Sequence, residues 1–263
     1  MQSLRLEFSH VGGRTQLVRR QFSWPFHVGR QFQEPDAPQA AVVVLQSASG
    51  TLNAGDRLRA GLVVNDGAVV RVRAQGAPSV HRARDGQGVV EDTAIAVGHD
   101  GSLECLAEPR VLFPGAVLSQ TLTVDLAGTG SALLADGAIA LHGGSGQGFE
   151  EFASELLIRR DGELLVHEQV RTGDWSRAPG RAGSFTAFGQ VLILPGADRS
   201  PTALEWDDPA GYLAATTLPN GAGLLVRIAA SGGRQLRACI DEMVTRCRAT
   251  GTMPDHGAAA TQS

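Results

Sequence analysis

The chain has 263 residues, a formal charge of -4, 43 % hydrophobic and 19 % charged residues, a balance that suits a packed globular body rather than a disordered one. All 23 basic residues are Arg. They stand in ones and twos (Arg19-Arg20, Arg82 with Arg84, Arg159-Arg160), without the basic stripe interleaved with aromatics that nucleic-acid binding needs, so a nucleic-acid partner is not expected.

The first residues, Met1-Gln2-Ser3-Leu4-Arg5-Leu6-Glu7-Phe8, alternate apolar with polar and build neither a signal peptide nor a membrane span, which predicts a cytoplasmic protein. From Leu4 to Arg227, short apolar segments of period two are separated by Gly, Pro, Asp or Asn, the pattern of many antiparallel strands. Strands are predicted at Leu4-Leu6-Phe8, Val42–Leu45, Val70-Val72 and Leu118–Leu126, then at Leu156-Ile158, Leu164–Val170, Val191–Leu194, Tyr212–Thr217 and Leu224–Ile228. Asn65-Asp66-Gly67, Asp100-Gly101 and Asp161-Gly162 read as hairpin turns, where positive φ is tolerated. Their spacing is too irregular for propeller blades or solenoid repeats. Residues Glu150–Glu155 are open between a short helix and a loop entering a strand. Leu236, Ile240, Met243 and Cys247 recur at helical spacing and predict one amphipathic C-terminal helix packed on a sheet. The expected layout is a single β-rich domain over 1–250 and a disordered tail over 251–263, where almost no apolar residue is available to dock.

Cys105, Cys239 and Cys247 are an odd number without C-x-x-C spacing, which argues for small core residues rather than disulfides or a thiolate zinc site. The segment His142–Gly148 is rich in glycine but fails as a nucleophile elbow, since Gln147 stands where the second glycine is required. It fails as a dinucleotide fingerprint too, because the sixth position is Phe149 or Glu151. A P-loop needs a lysine that this sequence lacks. No two of the seven histidines lie three to five residues apart, so a local zinc motif is absent, although ligands from distant strands could still converge.

Several segments, in order, resemble the D-type urease accessory family, called H-type in some bacteria. They begin with Leu4-Arg5-Leu6, Gly13-Arg14-Thr15 and Trp24-Pro25-Phe26-His27-Val28. Ser49–Leu58 is similar to the family's glycine-rich turn ending in Gly-Gly-Asp, with Ala54 in place of the first glycine. Gln75–Arg82 falls at an alanine-rich turn but lacks its Lys and aromatic pair. Gly101–Pro109 and Val111–Ala116 match the Leu-Glu-aromatic-Leu-Pro block and the Phe-x-Gly-Ala turn, and Arg160–Leu164 fits in position.

The resemblance implies a mainly β fold, a two-layered helical arrangement of β-sheets with few helices, and no catalytic chemistry. It implies a scaffold that binds the F-type accessory protein, which recruits the nickel-carrying G-type GTPase, with the assembly docking on apo-urease. An internal water-filled passage is the implied metal route, with no tightly bound cofactor. Two other functions stay open: a β-rich module that binds a different partner, and a hydrolase whose site is assembled from distant residues.

A metal in transit needs inward oxygen or nitrogen ligands weak enough to release it. In Leu164–Val170, alternation puts Glu168 on the face of Leu164, Val166 and Val170, where a carboxylate is costly unless paired, solvated or metal-bound. A salt bridge to an arginine is its alternative reading. Asp56 ends the glycine-rich turn, as a passage-lining acid or a cap of its own turn. Glu104 and Glu108 share one strand face opposite Leu103, Cys105 and Ala107, where solvent would explain them equally well. His142 completes the set as a transient nickel ligand or an ordinary histidine, two readings that His167 shares.

Overall fold

A computed structural model describes residues 2–35, 37–144, 146–175, 184–196 and 211–249, and the backbone of 205–208. The expected tail, 251–263, lies outside the described residues. In chain order the strands are β1 (Gln2–Val11), β2 (Arg14–Phe22), β3 (Phe26–Val28), β4 (Phe32–Glu34), β5 (Ala37–Ser47), β6 (Thr51–Leu52) and β7 (Arg57–Val64). There follow β8 (Val69–Gln75), β9 (Ser79–Val80), β10 (Val89–Val97), β11 (Ser102–Leu106), β12 (Arg110–Leu112), β13 (Val117–Leu126) and β14 (Ser131–Ala140). The last are β15 (Glu151–Arg160), β16 (Glu163–Thr172), β17 (Ala187–Leu194), β18 (Glu205–Asp208), β19 (Gly211–Thr217) and β20 (Leu224–Ala230), before the helix α1 (Gly233–Ala249). Every strand predicted from period-two segments is present, and Glu150–Glu155 enters a strand rather than a helix.

The strands form two sheets. One has seven strands in the order β16-β15-β13-β10-β7-β1-β2, and the other has thirteen, with the main path β18-β19-β20-β17-β14-β11-β8-β5-β3. From β7 to β15 the chain alternates between them, so β7, β10, β13 and β15 pair in parallel in one layer. In the other layer β5, β8, β11 and β14 do the same. This is the two-layered helical arrangement of sheets.

The expectation of antiparallel pairing throughout, with no solenoid-like winding, is corrected here. Asp161-Gly162 does close an antiparallel hairpin, β15–β16. Asn65-Asp66-Gly67 and Asp100-Gly101, in contrast, carry the chain from one sheet to the other. A residue at positive φ, such as Gly67, Asp100 or Asp161, permits a tight reversal whichever sheet receives the next strand. Coils starting at Arg57, Val89 and Val117 differ in length, which is why no repeat period shows in the sequence.

Between the sheets lie two apolar clusters. One gathers Leu6, Phe8, Ile95, Val124, Ile158 and Leu192, and the other Leu52, Leu58, Val89, Leu112, Leu118 and Phe149. The helix lays Leu236, Cys239, Ile240, Met243, Val244 and Cys247 on the outer face of the larger sheet, against Leu133, Val191, Val226 and Ile228. Leu236 settles over Gly137 and Gly189, which are paired across β14 and β17. A Cβ at Gly189 would stand 2.6 Å from the Leu236 side chain. Among the described residues no helix is long and apolar enough to cross a membrane.

Candidate functional site

A band of polar side chains runs through the interior between the two apolar clusters. Strand β10 shows how it arises: Val89 belongs to one cluster, Ile95 and Val97 to the other, and Glu91 on the same face stands between them. The register places Glu91 beside Gln120 of β13 and Gln120 beside Ser154 of β15. On the facing sheet Asp136 of β14 lies beside Gln190 of β17, and Gln190 beside Arg227 of β20. The two polar rows meet across the gap, since one cavity touches Glu91, Gln120 and Ser154 as well as Asp136 and Gln190.

Three cavities follow this band. The first, about 80 Å³, touches Glu168 and Arg227. The second, about 90 Å³, shares Gln120, Asp136, Ser154, Leu156 and Gln190 with it. The third, also about 90 Å³, shares Glu91, Ala107 and Arg110 with the second and reaches Glu108 and Pro25. Each cavity has polar side chains set among apolar ones, and ordered water in such a space needs about two to four polar partners.

The acids of the band are held differently. Arg110 Nε donates to both carboxylate oxygens of Glu91, at 3.2 and 2.9 Å, Gln120 Nε2 donates to Oε2 at 2.8 Å, and Arg110 Nη1 donates to the Glu108 carbonyl at 2.7 Å. Burial would lower the Arg110 pKa, but Glu91 reverses that and raises it. Asp136 takes a hydrogen bond from Gln190 and feels Arg110 at a distance, yet its burial outweighs both and raises its pKa. At the end of the band Arg227 Nη2 donates to Glu168 Oε1. The Cys105 thiol also borders the second cavity, and burial, with Asp136 and Glu104 nearby, pushes its pKa up to about 12.

Of the five acids and histidines singled out in the sequence, Glu168 and Glu108 touch the cavity chain, at opposite ends. Glu168 pairs with Arg227, its alternative reading, and its side chain borders the first cavity. Its assumed companion Leu164 points outward, 48 % exposed, because a bulge between Ile158 and Arg159 shifts the register of β16 beyond Val166. Asp56 caps its own turn, accepting from the Asn53 N–H at 2.8 Å and from Gln2 at 3.2 Å. Glu104 and Glu108 do not lie on a solvated face, as α1 covers it. Glu104 is buried, paired with Arg73 and, at 2.6 and 2.9 Å, with Arg248 of the helix. Glu108 pairs with Arg237 near the other end of the same helix. Burial alone would raise the Glu104 carboxyl, but Arg248 and Arg73 prevail and hold it below the usual range. His142 sits in an exposed loop, Nε2 3.3 Å from Asp174 Oδ1.

These five residues therefore do not converge, and among the described residues no three His, Cys, Asp or Glu side chains are grouped to hold a metal ion. Among the described residues no histidine borders the three cavities, so within them the band contains no Ser-His pair around Ser154; Ser145 lies outside the described residues. Glu91, Gln120, Asp136, Gln190, Arg110 and Arg227 were not singled out in the sequence. Glu91 carried the same signal as Glu168, an acid in phase with Val89, Ile95 and Val97.

Sequence comparison places the chain in a family. The family model described as UreD urease accessory protein matches residues 1–258. A urease accessory protein UreD 2 from Bradyrhizobium sp. (strain ORS 278) is 39 % identical over 271 residues, covering 99 % of this chain and 92 % of the relative. The urease accessory protein UreD of Mycolicibacterium smegmatis is 36 % identical over 238 residues, covering 88 % and 85 %. That of Haloarcula marismortui is 32 % identical over 240 residues, covering 85 % and 78 %. With a match along almost its whole length, the chain belongs to the UreD urease accessory protein family.

Proposed function

We propose that this protein is a non-catalytic scaffold in urease maturation and that the polar band between its sheets is a route for nickel. In this reading it acts with the F-type accessory protein, the nickel-carrying G-type GTPase and apo-urease. The observation that carries the route is the run of three cavities lined by Glu168, Asp136 and Glu91 between two apolar clusters. Acids and amides placed inside a core destabilise it unless satisfied, so a continuous polar row has a functional explanation more readily than a structural one.

The chemistry fits a cargo in transit. Carboxylate and amide oxygens bind a divalent transition metal less firmly than clustered imidazoles or thiolates do, and dispersed single carboxylates give stepwise contacts rather than a trap. Among the described residues no arginine is bonded to Asp136, at the junction of the first two cavities, and it is the acid of the band most available to a passing cation.

Asp136→Asn tests the reading in cells that produce urease with all its accessory proteins. Activation should fall several-fold while the variant still co-purifies with its partners. Full activation with this variant would overturn the route.

A further inference from the structure

We propose that Arg227 is a latch at the mouth of the passage: its guanidinium occupies Glu168 in place of the cation cargo and is displaced when a divalent cation enters or leaves. This rests on the route described above and adds to it a specific competitor for the cargo.

Arg110 and Arg227 both cross the space between the sheets, and their settings differ. Arg110 reaches Glu91 with its side chain 21 % exposed and that of Glu91 9 % exposed. Glu91 is also bonded to Gln120, and Arg110 to the Glu108 carbonyl, so that pair is a fixed strut. Arg227 and Glu168 are 48 % and 35 % exposed and share a single Nη2–Oε1 contact. A single, half-solvated contact exchanges readily. Both side chains nonetheless border the first cavity, so this pair stands where solvent meets the passage.

Position reinforces the contrast. Glu168 is on β16, the edge strand of the seven-stranded sheet, and Arg227 is on β20 of the other sheet. The pair thus spans the sheets at the end of the polar band. Among the described residues, the cavity wall around it includes Val170, Trp175 and Phe188, which offer Glu168 no second cation. A guanidinium with one unit of charge neutralises the acid while the passage is idle. A dication with two units competes for the same oxygen, and the returning guanidinium then helps to release it.

The test is equilibrium dialysis of the full-length protein against Ni²⁺ alone, with a thermal melt for each variant. Arg227→Met should bind nickel up to about fivefold more tightly than the unmodified protein at the Glu168 site. Arg227→Gln, which keeps a hydrogen-bond donor and guards against misfolding of the first variant, should also tighten it. Adding Glu168→Gln to either should abolish the gain. Unchanged affinity in both Arg227 variants, or a gain that survives loss of the Glu168 charge, overturns the latch. Neither outcome depends on urease activation by Asp136→Asn, which tests the route alone.

Discussion

Arg110 of β12 reaches across the interior to Glu91 of β10, its Nε 2.9 Å from Oε2, and joins the two sheets from within. Both members are largely removed from water, and removing one leaves the other as an uncompensated buried charge. Arg110→Met is expected to lower stability by about 3 kcal/mol or more. Converting Glu91 to Gln in the same chain should recover much of the loss, because no charge is then stranded. Chemical denaturation of the two variants measures both effects, and a double variant no more stable than Arg110→Met would contradict the strut.

Glu168→Gln should behave differently. Its partner Arg227 is half-exposed, so the pair contributes about 1 kcal/mol at most, and the melt should barely move. Loss of the carboxylate at the mouth should still reduce urease activation. A melt lowered as far as that of Arg110→Met would show that Glu168 is a strut as well.

The C-terminal helix is held at two ends by acids of the larger sheet, Glu104 to Arg248 and Glu108 to Arg237. The folded-state pKa of Glu104 is lowered, so its stabilisation is fully present above the unfolded value, 4.5 for an ordinary glutamate. It is lost as pH falls through the lower folded value. The hydrogen-exchange protection of α1, relative to intrinsic rates at the same pH, should therefore fall in acid before that of the strands. Glu104→Gln should show the reduced protection already at neutral pH. Helix protection that ignores both changes would remove Glu104 from the docking account.

Gly189 makes room for Leu236 of the helix, since a Cβ there would lie 2.6 Å from its side chain. Gly189→Ala should lower stability by about 1–3 kcal/mol, as over-packing of a filled contact does. Combining it with Leu236→Ala should cost less than the sum of the two, a non-additivity that a double-mutant cycle reads directly.

Much of this was legible in the sequence. Alternation located β1, β5, β8, β13, β15, β16, β17, β19 and β20, and the helix stripe located α1. Alternation also picked Glu168 out of β16 and would have picked Glu91 out of β10. It could not find Asp136, because β14 buries residues on both faces, Leu133 toward the helix and Leu134 between the sheets, so no period separates them. Nor could it reveal the parallel coil, since Asn65-Asp66-Gly67 has the same turn chemistry whichever sheet follows. The bulge that turns Leu164 outward, and the helix that covers Glu104, belong to tertiary pairing and leave no local signature.

The most direct test of the route is to block it by shape rather than by charge. Ser154 sits where the first and second cavities meet, and Ser154→Leu would fill that junction with an apolar side chain. The measurement is the nickel content of urease purified from cells that carry this variant, with partner complexes checked by co-purification. A route between the sheets predicts intact complexes and a several-fold fall in nickel per urease active site. Fully loaded urease from the same cells would contradict it.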